Sequence, residues 1–323
     1  MKNRVFLVLK IAAVIAFYIF LYKLSITHIH QLKEYFQING FSNINFKTFA
    51  IATILVIPNW LLESLKWQIA IAPIESITIK TAIQGVLMGI PPSTFTPNRI
   101  GETIGRPSVL KATHRIEGGI ATLYSGMSQM PIMLLCTAIS SCYFAAIQTL
   151  FINESHLAKP IFGAVAAVAA AITSVLFYNP KIFIPILQKY KRTQKIADKL
   201  TFFIRYTPHL KYSILLISAA RYLLYCTQHY LIINALGINI GLIDGYAAIF
   251  LIYGIISFVP RPALAELGVR CSISALVLNP FAPNPLIPAA ASALLWIINI
   301  LIPCIIGTFL YIPQKKHQKN FAQ

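Results

Sequence analysis

Arg99, Glu102 and Arg106 follow one another at helical spacing within a stretch that begins Pro97-Asn98-Arg99-Ile100-Gly101-Glu102, and Arg261, Glu266 and Arg270 recur in the stretch from Pro260 to Arg270. Guanidinium groups this close together can grip a phosphate through paired N–H donors. A carboxylate beside them either fixes their orientation or carries a proton. Both stretches interrupt strongly apolar sequence, where a charged side chain costs about 2.5–3.5 kcal/mol on insertion scales and so lines a pathway or a site rather than lipid. These six charged residues form the candidate substrate-binding set. Pro97, Pro260 and Pro262 break the helix, Gly101 and Gly105 admit close backbone approach, and Gly268 completes the hairpin backbone. A helix starting near Ile100 would also turn its amide ends toward a bound anion. The competing explanation is structural: the charges pair with one another to close a polar kink, or sit in water at the first stretch.

Elements that could hold such groups are dictated by composition. Hydrophobic residues make up 57% of the 323-residue chain and mean hydropathy is +0.70, the signature of an all-α polytopic membrane protein. Apolar runs predict six spanning helices near 5–24, 48–66, 119–150, 160–178, 213–236 and 286–311. The first carries Lys2 and Arg4 ahead of it and no small-residue cleavage site after it, so it reads as a retained helix. Regions 74–111 and 246–278 hold apolar pieces of about 14–16 residues, below the ~17–25 needed to cross, and suit two re-entrant, proline-broken hairpins.

Orientation follows from basic residues. The linker 181–212 carries eight Lys and Arg against the single acid Asp198, which marks it as cytoplasmic. Counting crossings from there places both ends of the chain on the same side. The formal net charge of +18 is then mostly a cytoplasmic face that attracts anionic head groups; aromatics are spread through the spans rather than interleaved with the basic cluster, so nucleic acid is not an expected partner. Within the single membrane domain 1–323, the halves 1–155 and 158–323 each read span, span, broken hairpin, span. Three crossings per half would invert one half relative to the other, as in an alternating-access repeat.

Catalytic chemistry finds little support. No Gly-x-Ser-x-Gly, Walker or dinucleotide pattern occurs, no catalytic residue is assigned and no cofactor is expected. His28 and His30 lack a third ligand, and Cys136, Cys142, Cys226, Cys271 and Cys304 stand singly in apolar sequence, so no metal site is expected and the cysteines read as small buried hydrophobes. Glu63 and Lys66, between Trp60 and Trp67, read as an interfacial anchor, and His229 as a hydrogen-bonded helix residue. Arg221 lies deeper, and Glu63, from the matching span of the other half, is its candidate partner.

The two motifs resemble those of a flippase-like integral membrane family typified by the transmembrane region of lysylphosphatidylglycerol synthases. Its first motif, similar to Pro-Gly-Arg-Ile-Gly-Glu, is matched by Pro97, Arg99, Ile100, Gly101 and Glu102, with Asn98 replacing the glycine. Its second, similar to Gly-Leu-Gly-Val-Arg-Glu after a proline, is matched by Leu267, Gly268, Val269 and Arg270, with Glu266 in place of a glycine and Cys271 in place of the glutamate. The resemblance implies transbilayer movement of an anionic or aminoacylated phospholipid or a polyprenyl-linked head group, in a bacterial plasma (inner) membrane. It does not imply the synthase reaction. The longest polar stretch, about 32 residues, is far shorter than the roughly 100–200 of a catalytic domain. The alternative is a non-transporting subunit that presents lipid to an envelope lipid-modifying or glycosyl-transferring enzyme.

Overall fold

The computed structural model describes residues 44–147, 158–182, 189, 200–259, 266–282, 284 and 286–319. The predicted span 5–24, His28 and His30, most of the basic linker, and Pro260, Arg261 and Pro262 lie outside the described residues. All regular elements among those described are helical, as composition predicts.

Helix α1 (Phe46–Ile54) starts where the Asn45 side chain accepts the Thr48 N–H at 3.1 Å, and leads into α2 (Val56–Ile71). Helix α3 (Ile79–Thr94) is capped by Thr78, whose hydroxyl accepts from Thr81 N–H at 3.2 Å. A one-turn helix α4 (Glu102–Gly105) follows, then a 3₁₀ turn at Arg106–Val109. Helices α5 (Arg115–Met127) and α6 (Gln129–Ala146) form one long run that bends at Ser128, and α7 (Ala158–Tyr178) packs along α6. Helix α8 (Pro208–Ala235) opens with Thr207 as cap and proline in its first turn. It closes at Gly237, φ 87°, where the Gly237 and Ile238 N–H groups reach the Asn234 and Ile233 carbonyls at 3.0 and 3.2 Å, a left-handed cap. Helices α9 (Leu242–Phe258), α10 (Glu266–Leu278), α11 (Leu286–Trp296) and α12 (Ile302–Lys319) complete the bundle, a π-helical turn at Ile297–Leu301 joining the last two.

Among the described residues, four helical runs are long and apolar enough to cross a membrane: Phe46–Ile71, Ala112–Ala146, Pro160–Tyr178 and Leu286–Leu310. They coincide with four of the predicted spans. The predicted span 213–236 is helical but carries a buried polar set, Ser218, Gln228 and His229, and is not among the four.

The first proline-broken region folds as helix, break, helix, and the second has described helices on both sides of residues 260–265. In the first, α4 and the Arg106–Val109 turn double back against α3. Its return arm is much shorter than the predicted apolar piece, because the chain reverses within about one turn of Pro97. In the second, α9 and α10 pack on each other on either side of the second proline cluster.

Packing brings the two hairpins to a common centre. Helix α2 lies between α3, α5 and α8, while α9 lies against α6 and α10. Interhelical hydrogen bonds reinforce these contacts: Thr137 and Ser140 on α6 donate to the carbonyls of Phe250 and Ala247 on α9, the former at 3.2 Å. One apolar core surrounds α8, α9 and α11, with Tyr222, Ile232, Ile252 and Leu295 buried. A second packs Trp67, Val86, Tyr124 and Phe203 beneath α2 and α5. There the Tyr206 hydroxyl donates to the Ala70 carbonyl, and burial pushes its phenol above the usual range. The cysteines depart from expectation in part: Cys226 and Cys304 are buried, Cys136 and Cys271 half-buried and Cys142 exposed, all as free thiols.

Candidate functional site

The first motif turns on a left-handed backbone. Asn98 and Arg99 take φ of 50° and 60°, a region that asparagine tolerates better than most non-glycine residues. This accounts for asparagine where the related motif carries glycine. Thr96 holds the reversal: its hydroxyl accepts the Gly101 N–H at 2.7 Å and donates to the Pro92 carbonyl at 3.2 Å. Gly101 and Gly105 then let the return arm lie on α3. A Cβ at Gly101 would sit 2.1 Å from the Pro92 carbonyl oxygen, and one at Gly105 2.6 Å from that of Met88.

The expected anion site at the helix start does not form. Helix α4 spans only Glu102–Gly105, and the Gly101 N–H is already taken by Thr96. Side chains rather than backbone amides carry the positive charge.

Those side chains meet over α2. Arg106, 4% exposed, donates from Nη1 to Glu63 Oε1 at 2.6 Å and from Nη2 to Glu102 Oε2. Arg99 Nε lies 3.0 Å from the other oxygen of Glu102. Glu63 in turn receives Lys66 Nζ at 2.8 Å and Arg221 Nη1 at 2.9 Å on Oε2. Two carboxylates thus serve four cations. Arg221 also donates to Gln129 Oε1 at 2.9 Å and lies over the Trp60 ring, 5.7 Å from its centroid.

From the second hairpin, Arg270 is held by Glu266 one turn earlier, with Nε and Nη2 at 3.1 and 2.9 Å from Oε1, and its Nη1 reaches the Tyr225 hydroxyl at 3.4 Å. Beneath these charges runs a fully buried amide chain. Asn59 donates to Asn299 at 2.8 Å, Asn299 to Gln228 at 2.9 Å, and Gln228 to the Ala52 carbonyl at 2.9 Å. Asn299 sits in the π-helical turn, an irregularity often found at functional sites.

All of this surrounds a cavity of about 370 Å³, lined by Arg99, Glu102, Arg106 and Arg270, by Glu63, Lys66 and Arg221, and by Asn59, Trp60, Tyr222, Tyr225 and Asn299 among others. Four predicted residues, Arg99, Glu102, Arg106 and Arg270, therefore come together. Glu266 supports Arg270 from behind, and Arg261 lies outside the described residues. Pro97, Gly101 and Gly105 build the first turn; Pro260 and Pro262 lie outside the described residues, and Gly268 has open space where its Cβ would be. The reading of Glu63 and Lys66 as an interfacial anchor is corrected. They are 3% and 1% exposed and face the protein centre. The pairing of Arg221 with Glu63 is observed. His229 is hydrogen-bonded to Tyr253 at 2.8 Å, as expected. Asn59, Gln129 and Asn299 were missed, since lone amides in apolar helices carry no motif. Glu63 and Lys66, three residues apart in an apolar run, did carry a signal: two charges on one helix face at membrane depth.

A family model described as the lysylphosphatidylglycerol synthase TM region matches residues 5–307. The chain belongs to this family. Both motif-bearing hairpins and every cavity-lining residue fall within the match. Membership places the chain among membrane proteins related to lipid modification or transport, and the match is to the transmembrane region of such synthases. No curated protein and no solved structure matches the chain.

Proposed function

We propose that this chain is a flippase-like lipid transporter that binds an anionic or aminoacylated phospholipid, or a polyprenyl-linked head group, in the cavity between its two hairpins. The observation that carries this reading is the cavity's charge: among the described residues, five basic side chains, Lys66, Arg99, Arg106, Arg221 and Arg270, line it with two acidic ones, Glu63 and Glu102. Buried cations without matching anions are costly, so such a site favours an anionic guest. Its surroundings favour a guest with a tail. A largely apolar groove, lined by Ile104, Pro107, Ile116, Gly119 and Ile120 together with Ser108 and Arg115, shares Thr103 and Leu123 with the charged cavity, so a head group in one could lead its chain into the other. Ile104 and Ile116 there are exposed, as residues facing hydrocarbon would be. Glu102 and Glu266 act in this reading as orienting acids for their arginines, with proton coupling a role that Glu102 could add.

The test is transbilayer movement of labelled anionic and aminoacylated phospholipids in proteoliposomes. Wild type is expected to move at least one of them above empty vesicles, and Arg99→Ala, Glu102→Ala and Arg270→Ala variants that still fold are expected to lose most of that rate. Folded wild type that moves none across the panel, while still binding lipid, would favour the non-transporting subunit instead.

A further inference from the structure

Resting on the transport reading, we infer that the cavity takes a doubly charged phosphate head, a phosphomonoester or diphosphate without a compensating amine, and discriminates against aminoacylated heads. Among the described residues the lining carries an excess of three positive charges, and counting Glu266 behind Arg270 still leaves two. The other described acids, Glu75, Glu117 and Asp244, do not reduce this, since none lines the cavity. Glu75 is engaged by His114 at 2.9 Å and Asp244 by Tyr143 at 2.8 Å. Donor capacity is also in hand: Arg99 Nη2, Arg106 Nε, Arg221 Nε and the Trp60 indole N–H are buried and make no hydrogen bond among the described residues.

A phosphodiester head brings one negative charge and two terminal oxygens. A phosphomonoester brings about −1.5 to −2 at neutral pH and three strong acceptor oxygens. Only the latter approaches the excess on the wall. An aminoacyl group adds at least one ammonium, which cancels or reverses the diester charge and would place a cation among five others. Like-charge juxtaposition of this kind is how a site rejects a wrong ligand.

The experiment measures binding of lysophosphatidic acid, lysophosphatidylglycerol, lysyl-phosphatidylglycerol and inorganic phosphate to the full chain in detergent. Lysophosphatidic acid is expected to bind at least about tenfold tighter than lysophosphatidylglycerol, with lysyl-phosphatidylglycerol weaker still. Arg99→Gln, at a side chain 28% exposed and therefore tolerant of change, is expected to narrow the monoester-to-diester ratio several-fold, and Arg221→Gln to do the same independently. Equal or tighter binding of the lysyl lipid, or an unchanged ratio in folded Arg99→Gln and Arg221→Gln, would overturn the inference. So would inorganic phosphate binding as tightly as lysophosphatidic acid, which would identify free phosphate rather than a lipid head as the ligand. The two readings separate cleanly. Phosphomonoester preference in detergent with no movement in vesicles would sink transport and keep the charge selectivity, whereas preferential movement of the lysyl lipid would keep transport and sink the selectivity.

Discussion

Arg221 on α8 places its Nη1 2.9 Å from Glu63 Oε2 on α2, and the same carboxylate receives Arg106 from the first hairpin at 2.6 Å on its other oxygen. One buried glutamate therefore ties together three elements far apart in sequence. Removing it would leave Lys66, Arg106 and Arg221 crowded without their shared anion. Glu63→Gln is expected to destabilise the protein by about 3–5 kcal/mol, the usual cost of breaking a buried pair from one side. Thermal unfolding in detergent measures it, and a melting temperature within a degree of wild type would show that Glu63 does not hold the centre together.

Backbone conformation at Asn98 yields a second expectation. With φ at 50°, Asn98→Gly should stay within about 1 kcal/mol of wild type, the relaxed turn offsetting the added freedom of the unfolded chain. Asn98→Val should cost about 1–2 kcal/mol, since a β-branched residue resists the left-handed region. Equal stability of the two variants would contradict the described turn.

The glycines of the two hairpins should respond in opposite ways. Gly101→Ala and Gly105→Ala push a methyl group onto α3 backbone at 2.1 and 2.6 Å, and each is expected to cost about 1–3 kcal/mol. Gly268→Ala meets nothing within 4 Å and should be neutral or stabilising by up to about 1 kcal/mol, because alanine is the better helix residue. Parallel measurement of all three in one detergent removes the dependence on conditions.

The buried amide chain can be tested as a unit. Asn299→Leu removes bonds to both Asn59 and Gln228, and interhelical hydrogen bonds in membrane proteins average about 0.6 kcal/mol with a maximum near 1.7. A double-mutant cycle between Asn299→Leu and Asn59→Leu is expected to show coupling of that order; additive effects would mean the two amides act separately.

Orientation is open to direct labelling. In a background without the five native cysteines, single cysteines at Lys195, in the basic linker, and at Asn284, between α10 and α11, are expected to react with an impermeant thiol reagent from opposite sides of the membrane. Reaction from the same side would overturn the cytoplasmic assignment of the linker.

The sequence by itself determined the class of protein, four of its apolar helical runs, the place of both hairpins and the identity of most charged residues at the site. These are properties of contiguous residues: hydropathy, the helix-breaking proline at 97, and arginine and glutamate at one-turn spacing. Only the tertiary structure decided what those charges face. Glu63 and Lys66, flanked by tryptophans, look the same in sequence whether their helix turns them to a membrane rim or to the protein centre, and it is packing against α3, α5 and α8 that buries them. Arg106 could as well have paired with Glu102 alone; its second bond, to Glu63, exists because Gly105 lets the return arm settle on α3. The amides Asn59, Gln228 and Asn299 carry no periodic or motif signal, and become a chain only when three helices fix their distances. Local chemistry is written in neighbouring residues, whereas electrostatic partnership depends on distance in space, which the fold alone sets.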